Sequence, residues 1–165
     1  MATVLELVQA QKLVKVDVGL GPKEYEERRI FLLPETVVQV EKLLESMESE
    51  WDIESTPAEQ LDELFYHYVH GGALDFPRQF NDLRHIRDGI WELKTPDLRL
   101  FGWFAEKDTF LCVNIVNANI LKRGVPYSGY CEQTWFKRQQ LELDEPKFIP
   151  GQVPNNVISN CYSSK

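Results

Sequence analysis

The residues able to do chemistry are spread unevenly along this chain. Residues 78–140 carry 10 Lys/Arg against 7 Asp/Glu, whereas residues 1–77 carry 6 against 16. Local net charges are therefore +3 and −10, with −1 for residues 141–165, in a chain of net charge −8. Such an asymmetry suits a nucleic-acid face on the basic part, and two acidic helices placed first account for it equally well. The overall acidity argues against an undifferentiated nucleic-acid binder. The cysteines, Cys112, Cys131 and Cys161, are odd in number and form no C-x-x-C pair. That sets aside a disulfide framework and a zinc site. Cys112 falls in an apolar run, as a small buried hydrophobe would. His67 and His70 stand at i,i+3, a spacing that can hold a metal on a helix, but no third ligand stands near them in the sequence. A structural or surface role is the stronger expectation, with neither metal nor cofactor. Glu92 and Asp97 offer carboxylates for acid–base work, yet nothing around them completes a hydrolase site.

The elements that must position these residues follow from periodicity. V-K-V-D-V at 14–18 alternates like a strand, and G-L-G-P at 19–22 turns it. Residues 29–33 form a second strand, either its hairpin partner or the first strand of the main sheet beside a separate N-terminal arm, residues 1–28. Val37, Val40, Leu43, Leu44 and Met47 fall on one face of a helix over 36–51, with Thr36 as N-cap. A second helix over 58–70 follows Thr56-Pro57 and stops at Gly71-Gly72. The short link between them predicts an antiparallel helical hairpin. Residues 89–94, 98–106 and 110–116 then alternate or run apolar as strands, with short links that predict an antiparallel meander. Trp91, Phe101, Trp103 and Phe104 read as core aromatics of that sheet. A last helix over 129–143 has Ser128 as N-cap and Lys137-Arg138 near its basic end. Residues 146–165 hold three prolines and few large apolar residues, and read as a flexible tail. The expected fold is α+β: a helical hairpin packed on a small antiparallel sheet, closed by a C-terminal helix, over residues 29–145. There is no apolar run of membrane-spanning length and no leader-like start, so a cytoplasmic location is expected, with no membrane partner.

Particular residues within that order carry a resemblance. Gly89-Ile90-Trp91-Glu92-Leu93-Lys94, followed by Leu98-Arg99-Leu100-Phe101, resembles the "GLxELR … xRxxY" strand pair of the RelE/HigB superfamily. The resemblance is especially to its phage-derived HigB-like branch. Residues 72–80, G-A-L-D-F-P-R-Q-F, are similar to the loop that leads into those strands. Lys122-Arg123 stands where the family has a basic pair, and residues 128–140 resemble its closing helix. The likeness covers roughly residues 29–143. It implies a RelE-like fold and the toxin of a type II toxin–antitoxin pair. Such a toxin is an endoribonuclease that cuts mRNA on the ribosome and is neutralised by a cognate antitoxin protein. The RNA's own 2′-hydroxyl attacks the adjacent phosphate, without metal, while the protein supplies charge and proton transfer.

The resemblance implies catalytic roles for Arg99, Lys122 and Arg123. Arg99 would clamp phosphate through its planar fork, and the basic pair would contact the same phosphate or the adjoining backbone. Lys94 would add charge, and Tyr127 or Tyr130 would stack on a base or pass a proton. Plainer readings stand beside these: Arg99 and Lys94 as solvated strand residues, and Lys122-Arg123 as an exposed pair in a Gly-containing loop. The acidic front half, the pI of about 4.9 and the lack of a histidine near Lys122 or in the last helix favour a second function. That alternative is a non-catalytic RelE-fold binding protein of phage or mobile-element origin.

Overall fold

The computed structural model describes residues 1–48 and 54–164. In chain order the elements are α1 (Val4–Gln9), β1 (Val14–Lys15), β2 (Arg29–Leu32), α2 (Pro34–Ser46), α3 (Pro57–Val69), β3 (Leu74–Phe76), β4 (Phe80–Asp82) and β5 (Trp91–Lys94). There follow β6 (Leu98–Glu106), β7 (Thr109–Asn117), α4 (Ala118–Lys122), α5 (Tyr127–Gln140), α6 (Pro154–Val157) and β8 (Cys161–Ser163). The α+β class is as the pattern predicts.

The sheet differs from the expected antiparallel one. Its six strands run in the order β1-β2-β7-β6-β5-β4, and β2 pairs with β7 in parallel, Arg29 opposite Thr109 through Leu32 opposite Cys112. Everything from α2 to β6 separates these two strands, so the connection is long enough to return the chain in the same direction. The predicted meander of β5, β6 and β7 is antiparallel.

Helices lie on both faces of this sheet rather than on one. Ile30, Leu32, Leu93, Leu100, Phe104 and Phe110 point to one face, where they meet Leu61, Leu64, Phe65 and Tyr68 of α3. Phe31, Trp103, Leu111 and Val113 point to the other, against Leu7, Leu13 and Leu143. Farther along that second face, Phe101 and Val116 pack with Leu121 and Cys131. Successive strand residues alternate faces, and one extra residue in β7 resets the alternation. Phe101 faces Asn114 while Gly102 faces Cys112, which leaves Val113 as the bulge. Gly102 is required there, because a Cβ would lie 2.0 Å from the carbonyl oxygen of Leu111.

Helix starts follow local chemistry. Thr56 and Glu59 form a capping box with Pro57 at the first helical position of α3. For α2 the N-cap is Leu33, not Thr36, because Pro34 opens the helix. Thr36 is buried and its hydroxyl donates to the Val113 carbonyl at 2.6 Å, at the bulge. α2 ends at Ser46, and residues 49–51, which the periodicity assigns to the same helix, lie outside the described residues. α5 begins at Tyr127, with Pro126 rather than Ser128 at its N-cap.

The two ends of the chain join the core. Leu7 of α1 and Leu13 are buried on the second face, so the first residues are not a detached arm. The loose tail expected from residue 146 is also corrected. Val157 and Ile158 are each 1 % exposed within the first-face core, and β8 pairs in parallel with β3. Two buried aliphatic side chains outweigh a local composition rich in proline and asparagine. Arg28 holds the segment in place: its buried guanidinium donates to the carbonyls of Tyr68 (3.0 Å), Gly72 (2.8 Å) and Ser159 (2.7 Å).

Candidate functional site

The turn between β5 and β6 sets the geometry of the candidate site. Lys94 and Arg99 are directly opposed across the two strands. Like charges in that relation repel, so the pair needs compensation. The Lys94 ammonium lies 3.4 Å from Glu92 Oε1, and Arg99 Nη1 donates to the carbonyls of Thr95 (2.6 Å) and Leu98 (2.9 Å). Glu92 is almost completely buried, and burial raises its pKa against the opposing pull of Lys94 and Arg99.

Asp97 builds the turn. It is fully buried, accepts from Gln60 Nε2 of α3 at 2.7 Å and from Asn119 Nδ2 of α4 at 3.2 Å, and its own N–H donates to Gln60 Oε1. The turn is thereby tied to both helices. Lys122, at the end of α4, reaches the Pro96 carbonyl at 3.4 Å. Asp97 and Glu92 are thus enclosed carboxylates that shape and neutralise the site from within.

Lys94, Arg99 and Lys122 consequently line one open cleft of about 530 Å³, together with Asp75, Arg78, Gln79, Thr95, Pro96 and Tyr162. Arg78 enters from the β3–β4 turn with 77 % of its side chain exposed, 3.9 Å from Asp75. Among the described residues, four cationic side chains and one carboxylate, Asp75, line the cleft, with Glu92 buried behind Lys94. A phosphate or phosphodiester meets here the guanidinium and ammonium donors it requires.

The remaining sequence candidates fall elsewhere. Tyr127 packs edge-on against Phe101, and burial followed by the charge of Glu92 raises its phenol pKa while Arg99 pulls it down. It therefore stands behind Arg99, in electrostatic contact with both. Tyr130 of α5 stacks on Phe101 with ring centroids 5.5 Å apart, half-buried against the core of the second face. Arg123 is the exposed C-cap of α4 and does not line the cleft. His67 approaches the Ala73 carbonyl at 2.6 Å, and among the described residues no three potential metal ligands come together.

Arg78 and Tyr162 are not among the candidates that the sequence singles out. Arg78 lies in the 72–80 segment that carries part of the family resemblance, so a signal for it existed. Tyr162 had none, because its segment reads locally as unstructured.

No protein-family model matches the chain, and no curated protein or solved structure matches it. Among the described residues no helix is long and apolar enough to cross a membrane.

Proposed function

We propose that this protein grips the sugar–phosphate backbone of single-stranded RNA in the Lys94–Arg99–Lys122–Arg78 cleft. It does so as a RelE/HigB-type, mRNA-cleaving toxin held in check by an antitoxin protein. The observation that carries the reading is the convergence of Lys94, Arg99 and Lys122 on one cleft from separate elements. Those are three of the positions at which the sequence resembles that superfamily. The direct opposition of Lys94 and Arg99, each held by its own partners, concentrates two cations at one end of the strand pair and supports a ligand-binding purpose.

In this reading Arg99 and Lys122 bind the phosphate whose charge develops during attack by the neighbouring 2′-hydroxyl. Lys94, backed by Glu92, adds a second point charge. Tyr127, set against Arg99 and Glu92, keeps the guanidinium turned toward the cleft. The cytoplasm, the ribosome and an antitoxin enter as parts of the same proposal.

One observation favours the non-catalytic alternative. Among the described residues, the one carboxylate lining the cleft is Asp75, itself nearly buried beside Arg78, and no histidine lines it. A general base of ordinary type is thus missing from the cleft's described lining. Induced expression, with growth and mRNA integrity followed together, separates the two. The toxin reading predicts growth arrest with mRNA fragmentation, abolished by Arg99→Ala. Intact mRNA in the presence of RNA binding leaves the binding protein as the correct reading.

A further inference from the structure

The C-terminal strand brings an aromatic ring to the cationic cleft. Tyr162 lies at the middle of β8, directly opposite Asp75 of β3, and its side chain is one wall of the cleft that holds Arg78, Lys94, Arg99 and Lys122. It is 55 % exposed, unlike the core aromatics of the sheet. Beside four cations, the exposed ring suits a ligand with both charge and flat apolar surface.

The ring is also held in place. The Leu74 N–H donates to the Asn160 carbonyl at 3.1 Å, and the Ser164 N–H donates to the Phe76 carbonyl at 3.1 Å. Asn160 Nδ2 donates to the Gly71 carbonyl at 2.9 Å, and Arg28 anchors Ser159 from below at 2.7 Å. β8 is thus tied on both sides of Tyr162, which fixes the backbone that carries the ring. Single-stranded nucleic acids are bound where cations track the backbone and aromatic faces take the bases.

We infer that Tyr162 is the base-stacking residue of this cleft, receiving the nucleobase next to the phosphate gripped by Arg99 and Lys122. This rests on the RNA-binding reading given above and adds a nucleobase subsite contributed by the C-terminal strand. The residue touches the ligand through its ring face, so its hydroxyl is dispensable.

The test uses the full-length protein and two labelled probes of equal length, a uridine dodecamer and an abasic ribose-phosphate dodecamer. Fluorescence anisotropy is read at fixed salt for the parent, Tyr162→Ala and Tyr162→Phe. The parent binds the uridine probe more tightly than the abasic one. Tyr162→Ala weakens uridine binding about 5- to 150-fold, the range for loss of one stacked base, and leaves abasic binding unchanged. Tyr162→Phe binds both probes as the parent does. The exposed position keeps the thermal midpoint of both variants at the parental value. Equal losses on the two probes, no loss on either, or a Phe variant as weak as the Ala variant overturns the stacking assignment while RNA binding stands. If the parent binds neither probe, the RNA reading itself fails and the subsite falls with it.

Discussion

Replacing Arg28 with methionine should release the C-terminal segment while keeping most of the apolar volume of the side chain. The guanidinium is completely buried, 5.3 Å from the centroid of the Tyr68 ring, and 3.7 Å from Asp108. It supplies hydrogen bonds to three carbonyls at 3.0, 2.8 and 2.7 Å, one of them in the tail. The Tyr68 carbonyl keeps the Gly71 N–H as a donor, at 3.2 Å, whereas those of Gly72 and Ser159 lose theirs; at about 1–2 kcal/mol each, the two come to roughly 2–4 kcal/mol. Burial opposes the charge and lowers the pKa of Arg28, which returns part of that cost when the charge is removed. A net loss of about 2 kcal/mol remains, and for a chain of this size that lowers the thermal midpoint by about 4–8 °C. Urea and thermal denaturation give the loss, and limited proteolysis shows whether cleavage begins within residues 154–164. A variant within about 1 kcal/mol of the parent, with the tail equally protected, would refute the proposed anchoring.

Other perturbations probe the site and its surroundings. Asp97→Ala should cost about 2–4 kcal/mol, because it leaves Gln60 and Asn119 without their buried acceptor, and should weaken RNA binding through the misplaced turn; denaturation and anisotropy check the two effects. Glu92 has a raised pKa in the fold, so the folded state binds more protons than the unfolded chain. Its contribution to stability therefore falls as pH rises from the ordinary carboxylate range through the folded pKa, and stays low above it. Glu92→Gln should remove this fall and leave the variant more stable than the parent at neutral pH, with the two converging in acid, as read by urea midpoints across pH. Among the cysteines, Cys112 and Cys131 are buried with raised pKa values, Cys131 pushed up to about 12, while Cys161 is partly exposed. Iodoacetamide on the native protein should therefore label Cys161 first, by mass spectrometry, and early labelling of Cys131 would contradict its place on the buried face of α5.

Local signals were sufficient for α3 and for the β5–β7 meander. Thr56, Pro57 and Glu59 define a helix start within four residues, and strict alternation around a short turn places Lys94 against Arg99. The parallel pairing of β2 with β7 was not legible, because strand direction across a long connection has no local signature. Nor was the tail. Val157 and Ile158 are only two apolar residues among prolines and asparagines, and what fixes them, Arg28 and β3, lies about 130 and 85 residues away in the chain. The candidate site divides in the same way. Arg99, Lys94 and Lys122 could be chosen from sequence, whereas Arg78 and Tyr162 join them only through the pairing of β3 with β8 and the turn that follows β3.

The central claim is that the four-cation cleft binds RNA through its phosphates. Its most direct test is the salt dependence of binding to a single-stranded RNA dodecamer, for the parent and for Arg99→Ala. Three to four phosphate contacts predict that log K falls against log salt with a slope of about −2 to −3. Arg99→Ala should bind more weakly and with a slope shallower by about 0.7; the lost bonds to the Thr95 and Leu98 carbonyls cost about 1–2 kcal/mol, so both proteins are compared at a temperature where each is fully folded. Parental RNA binding that shows no salt dependence, or that keeps both its affinity and its slope when Arg99 is removed, would contradict the assignment of this cleft.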